Sequence, residues 1–255
     1  AEQLAQTDAQ APADTEPEAA APLEVDASTD ASRYGGVLNQ VYSTMDDHCD
    51  INAPGASAGT FFWARYVYEP ALARGADGEL YPLVCEYEIA DDLSWVKLWP
   101  REGVTFHNGD PVTVEDVIYS LERCAGSEND GTPLISAFSN VTDVSAPDDG
   151  HVVVTLAEPT LEFIYSMTAA IIPAGSGDQM STNPVGTGPF AFVSYTPQES
   201  MVVKKYDGYW GTPAYLDEVT FKIITNATTL VTSLKSGALD MAIHLPNTKA
   251  VELEG

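Results

Sequence analysis

Asp46, Asp47, His48, Cys49 and Asp50 place carboxylate, imidazole and thiol donors side by side. These are the side-chain types that hold a transition metal. Consecutive residues converge on one ion only when a turn folds them back, so the run reads as a solvated loop with no metal. His107 precedes the turn signal Asn108-Gly109 and reads as structural, while His151 and His244 stand alone. Gly186-Thr187-Gly188 is too short to cradle a phosphate and lacks a following lysine; it reads as a tight loop entering a strand. There is no G-x-S-x-G elbow, H-E-x-x-H or G-x-x-x-x-G-K-[ST]. The residues therefore point away from an enzyme and imply no cofactor. Cys49, Cys85 and Cys124 form no C-x-x-C and read as small semi-buried residues, with a Cys85–Cys124 bridge left open. The aromatics Phe61, Phe62, Trp63, Tyr66 and Tyr68 crowd one segment. Core packing accounts for most of them, and one or two are free to line a cleft.

The chain that must position these residues has 255 of them, with 38 Asp and Glu against 11 Lys and Arg. A net charge of −27 repels phosphate backbones and anionic lipid, which excludes nucleic-acid binding and direct membrane adhesion. No apolar run approaches the roughly 20 residues that span a bilayer. No basic segment followed by an apolar one is present either, so a signal peptide was never there or has been removed. Residues 1–32 are rich in Ala, Pro, Asp and Glu, contain no Lys or Arg, and read as a disordered acidic linker. Such a segment would serve as a tether or as a plain terminus.

Beyond it, strands are expected at 37–43, 95–99, 190–195, 201–206, 219–224 and 239–243. A hairpin is expected from 141–145 and 151–156 around Pro147-Asp148-Asp149-Gly150. Helices are expected at 59–71, after Thr113, at 161–168, and at 227–236 before Gly237. Thr113 with Glu115 and Asp116 carries the cap of its helix, and Val117, Ile118, Leu121 and Cys124 form its apolar stripe. The mixture reads as α/β or α+β with mixed sheets.

The stretch REGVTFHNGDPVTVEDVIYSLER, from Arg101 to Arg123, resembles the signature of the family 5 extracellular solute-binding proteins. That family includes dipeptide-, oligopeptide- and nickel-binding receptors. Four further segments agree in order: VYEP at 67–70, NPVGTGPF at 183–190, YDGYWG at 206–211 and LKSGALD at 234–240. The resemblance implies a two-lobed, periplasmic-binding-protein-like fold that encloses its ligand at a hinge. On that map residues 33–71 and 172–255 form an incomplete first lobe, 72–171 form an inserted subdomain, and the second lobe would follow Gly255. The acidic residue that holds a peptide's amino terminus lies, in relatives, in that second lobe. In relatives the segment before VYEP and the loop after SLER reach the pocket, here about 57–63 and 132–138. This implies Phe61, Trp63 and Leu134 as ligand contacts, with Tyr42 at the end of the first strand as a further candidate. Pro100 replaces a usual leucine, so its strand is expected to end or lie at an edge there.

The implied function is capture of a small peptide and delivery to the membrane permease of an ABC importer. The implied location is outside the cell, periplasmic or at the surface, with any membrane attachment through an N-terminal lipid tether. A nickel, metal-chelate or oligosaccharide receptor on the same fold is the alternative, and a non-transport surface or adhesive protein is the rival of another class. Removing residues 1–32 by limited proteolysis should leave the melting temperature of the remainder unchanged. A clear fall would show that the segment packs on the fold.

Overall fold

The computed structural model describes residues 33–42, 46–53, 56, 58–148, 150–165, 167, 169–243, 245 and 247–253. The linker expected at 1–32, Ser57 and His244 lie outside the described residues.

The larger sheet has five strands in the order β11-β1-β10-β9-β8. These are β1 (Val37–Tyr42), β8 (Phe190–Thr196), β9 (Ser200–Lys205), β10 (Glu218–Ile223) and β11 (Met241–Ala242). β1 runs parallel to both neighbours, in register Val37↔Glu218 and Gln40↔Met241, while β8, β9 and β10 are antiparallel. Alternation along β1 sends its side chains to opposite faces. Gln40 and Tyr42 face helix α1 (Ala58–Val67): the Gln40 amide donates to the Tyr66 hydroxyl at 3.3 Å and Tyr42 stacks on Phe62. Val41 packs with Leu230 of helix α4 (Ala227–Lys235) on the other face. Under α1, Trp63, Ala64 and Val67 meet Met201, Val203, Val219 and Phe221 in one core.

Residues between the first and last parts of that sheet build two smaller ones. β2 (Leu72–Arg74) pairs with β3 (Leu80–Pro82); β4 (Cys85–Ile89), β5 (Trp95–Pro100), β7 (His151–Leu156) and β6 (Val141–Asp148) form an antiparallel sheet in that order. Its inward Val96, Leu98, Val152 and Val154 pack on Val117, Leu121 and Cys124 of helix α2 (Val114–Ala125). Phe138 and Phe163, the latter on helix α3 (Leu161–Tyr165), complete that core. Each fully buried side chain of this size contributes about 1.5–3 kcal/mol. β5 ends at Pro100, where only β4 still pairs with it. The strand expected at 239–243 shrinks to two residues. β2, β3 and β4 were not anticipated: β2 and β3 have three residues each, too few for a periodic signal. β4 is five residues long and alternates Cys, Tyr and Ile with glutamate, and that pattern was overlooked.

α2 is fixed at both ends. The Thr113 backbone N–H donates to Asp116 Oδ2 at 2.8 Å, and the Asp116 N–H returns a bond to the Thr113 hydroxyl. Gly126 closes the helix at φ 104°, with no room for a side chain against the Thr132 carbonyl. Asp116 also accepts the Ala174 N–H at 2.8 Å through its other oxygen. Asp116→Ala therefore removes a cap and leaves a backbone donor unpaired. Urea unfolding should show a loss of about 2–4 kcal/mol, and Asp116→Asn, which keeps an acceptor, should lose less than half as much. Equal losses would place the effect elsewhere.

Candidate functional site

Glu69 is 6 % exposed, yet its carboxylate carries three hydrogen bonds. The Tyr209 hydroxyl donates to Oε1 at 2.7 Å; the Thr187 hydroxyl and the Trp210 indole N–H donate to Oε2 at 2.9 and 3.0 Å. Burial raises the Glu69 pKa above its ordinary 4.5, with the three donors pulling the other way. Burial and the charge of Glu69 together raise the Tyr209 hydroxyl well above its usual range. The same junction holds His107. The Gly186 N–H donates to Nδ1 at 3.3 Å, so the neutral ring carries its proton on Nε2 and donates it to the Gly188 carbonyl at 2.9 Å. Burial pushes the imidazole below its ordinary 6.5, which matches that neutral form. Gly186 and Gly188 lie against the last turn of α1, where a side chain at Gly186 would overlap the Val67 carbonyl and one at Gly188 the Tyr66 and Val67 carbonyls. Three of the segments that carry the resemblance thus meet at one carboxylate, and a fourth locks in through His107.

Above this junction, α1 and the β2–β3 hairpin enclose a groove of about 540 Å³. Its walls are largely apolar, with Phe61, Leu72 and Leu83 among them, and Arg65 and Arg74 also line it. A concave apolar surface of this size with a few polar groups is the usual form of a small-ligand site. A roomier hollow of about 780 Å³ lies between residues 136–140 and 157–163. Its polar lining of small hydroxyls, Glu158 and Glu162 makes it the poorer candidate for a chain already so acidic.

Of the expected contacts, the structure places Phe61 in the groove, 42 % exposed. Trp63 does not share that surface. Two residues further on, about 200° around the helix, it is 1 % exposed in the core beside Tyr68. Tyr42 is 7 % exposed and covered by Phe62, with ring centroids 5.2 Å apart. Leu134 is half-buried after α2, where its N–H donates to the Cys124 carbonyl at 2.9 Å. The four residues therefore do not converge. Sequence reasoning missed Arg65, Glu69 and Arg74. The signal for Arg65 was its four-residue spacing from Phe61, which puts both on one helix face.

The 46–50 donors also separate. Asp46 accepts from the Thr60 hydroxyl at 2.6 Å, while Asp50 forms a buried ion pair with Arg123 at 2.6 Å. Arg123 also meets Glu128 at 3.0 Å, which ties this loop to α2. Among the described residues no three His, Cys, Asp or Glu side chains gather as a metal site. All three cysteines are free and buried, and burial pushes each thiol to about 12.

Residues 69–255 match the family described as "Bacterial extracellular solute-binding proteins, family 5 Middle". Protein XP55 of Streptomyces lividans is 31 % identical over 193 residues, which is 72 % of this chain and 35 % of that protein. The glutathione-binding protein GsiB of Pectobacterium atrosepticum is 30 % identical over 203 residues, 75 % of this chain and 39 % of that protein. The chain thus spans well under half the length of these curated relatives. The periplasmic binding protein DppA of Helicobacter pylori, solved with the peptide STSA, superposes with a TM-score of 0.78 at 23 % identity. That match covers 87 % of this chain and 49 % of DppA, and shows the mixed α/β fold of periplasmic binding proteins.

The raised pKa of Glu69 has a testable sign. Where the folded pKa exceeds the unfolded one, stability is full below the ordinary value of 4.5 and falls as pH rises through the folded pKa. Glu69→Gln has no proton to lose and places an N–H among donors, so it is less stable throughout. Urea titrations from about pH 5 to about pH 8 should show its deficit against wild type narrowing as pH rises. A deficit that grows with pH would mean the carboxylate is held below its ordinary value.

Proposed function

The chain belongs to the family 5 bacterial extracellular solute-binding proteins, and from that premise we propose that it captures small peptides for an ABC importer. This is a binding role and not an enzymatic one. Residues 33–71 and 172–255 act as one lobe and 72–171 as a subdomain inserted in it. The observation that carries the reading is the groove beside α1, about 540 Å³, with the Phe61 ring open to solvent at its wall. An extended peptide laid there sets apolar side chains against Phe61, Leu72 and Leu83. Its main chain stays available to a facing lobe.

The mechanism is capture by closure. A ligand bound to one lobe gains its remaining contacts only when a second lobe swings over it, and those added contacts shift the open–closed equilibrium. The closed form is what the membrane permease would recognise. Residues 1–32 then act as an acidic spacer between a lipid anchor and the receptor outside the cell.

Tested as residues 1–255 alone, the proposed lobe offers one wall to a peptide: each net hydrogen bond contributes about 0.5–1.5 kcal/mol, while association costs several kcal/mol. Amide NMR titration with a di- to pentapeptide mixture should give a dissociation constant near or above about 1 mM. Shifts should concentrate on residues 61–65 and 72–74, and Phe61→Ala should weaken binding about threefold. Shifts that leave both segments untouched would overturn the placement of the site, and a micromolar constant would overturn the one-walled geometry.

A further inference from the structure

We infer that the groove beside α1 is a carboxylate subsite: Arg65 and Arg74 receive an acid group of the bound solute. The solute class is therefore amphipathic anions and peptides with a free C-terminus, rather than neutral amides or basic peptides. The inference rests on reading the groove as the solute site. Its basis is the disposition of positive charge.

Cations are scarce in this chain, 11 against 38 carboxylates, and several that touch the fold's junctions are spoken for. Arg123 is paired with Asp50 and Glu128, Arg101 with Glu86, Lys97 with Glu88 and Lys205 with Asp217. Arg65 has no hydrogen-bond or ion-pair partner among the described residues, although acids outnumber bases more than threefold. Arg74 spends only its Nε, which donates to the Gly78 carbonyl at 3.2 Å, and its guanidinium lies 4.3 Å over the Tyr165 ring. Those two contacts fix the plane of the guanidinium and leave its terminal N–H groups without an acceptor among the described residues. A pre-oriented arginine of this kind suits planar recognition of a carboxylate. Lys204, Lys222 and Lys235 also lack a carboxylate within 4.0 Å among the described residues, but they sit on the larger sheet and α4, away from the groove.

The groove contains one carboxylate of its own, Glu69, four residues after Arg65. Both of its oxygens are turned to Tyr209, Thr187 and Trp210, so it does not close a pair with Arg65. Asp77 and Glu79, on the turn beside Arg74, oppose an incoming anion. Asp77 is occupied by the Tyr81 hydroxyl and the Glu79 N–H. The overall charge of −27 acts at long range and is screened beyond about 8 Å at physiological salt. The two arginines act at contact. Both are exposed, so the gain is modest.

N-acetyl-tetraalanine and its C-terminal amide separate the possibilities, because they differ only in the charge at one end. The chain has five arginines, so its Nε–H resonances are few, and Arg65→Gln and Arg74→Gln assign two of them. The acid should shift both resonances and bind about three- to fivefold more tightly than the amide. The double variant should reduce the acid to the affinity of the amide, and high salt should weaken the acid alone. Acid and amide binding equally, with shifts at Phe61 and none at either arginine, would overturn the carboxylate subsite and leave the groove as a solute site. No shift at Phe61 with either peptide would reject the groove itself, and the subsite with it.

Discussion

A carboxylate removed from water holds the fold together. Glu69 follows the last turn of α1, and the groups that solvate it come from far along the chain: Thr187, Tyr209 and Trp210. Burying a charge is costly unless donors replace its hydration, and three donors offset part of that cost here. The cost makes the arrangement selective. A chain that misplaces the 186–188 loop or the 206–211 turn strands a charge in an apolar core. The backbone of Glu69 serves the same junction, its carbonyl accepting the Ile171 N–H at 3.1 Å. Glu69 also lines the groove beside α1, so this lock and the groove share a residue.

Much of the frame was legible from the residues. The cap at Thr113, the stripe of α2, the hairpin around Gly150 and the strands of the larger sheet follow from turn chemistry and periodicity. The site was less so, for a reason visible in α1. Phe61, Phe62, Trp63 and Tyr66 present aromatic groups in nearly every direction, so composition does not tell the open face from the buried one. The phase is set by tertiary contacts: Phe62 and Tyr66 meet Phe221, Trp63 meets Tyr68, and Phe61 with Arg65 is left outward. Arg74 was illegible for another reason, since its position depends on a turn and on a ring far along the chain, that of Tyr165.

The motifs that mark the family are thus chiefly structural. His107 bonds the backbone of Gly186 and Gly188, and Glu69 accepts from the Thr187 hydroxyl between them. Motifs of this kind identify the frame and leave the solute open, because the residues that meet a solute are those the frame does not need. Arg65, helical and exposed, has no hydrogen bond or ion pair among the described residues.

Pro70, just after α1, and Ala170, ahead of the return to β8, bridge each other outside the sheets. By connectivity alone, the hundred residues between could be cut out and the ends joined by a short link, as with any insertion whose termini touch. Chemistry forbids it. His107, from the middle of that span, is bonded to Gly186 and Gly188, and Arg123 neutralises Asp50 deep in the fold. What topology presents as a detachable cassette is therefore grafted to its host: transplanting it into another scaffold would require carrying the 186–188 loop and Asp50 along.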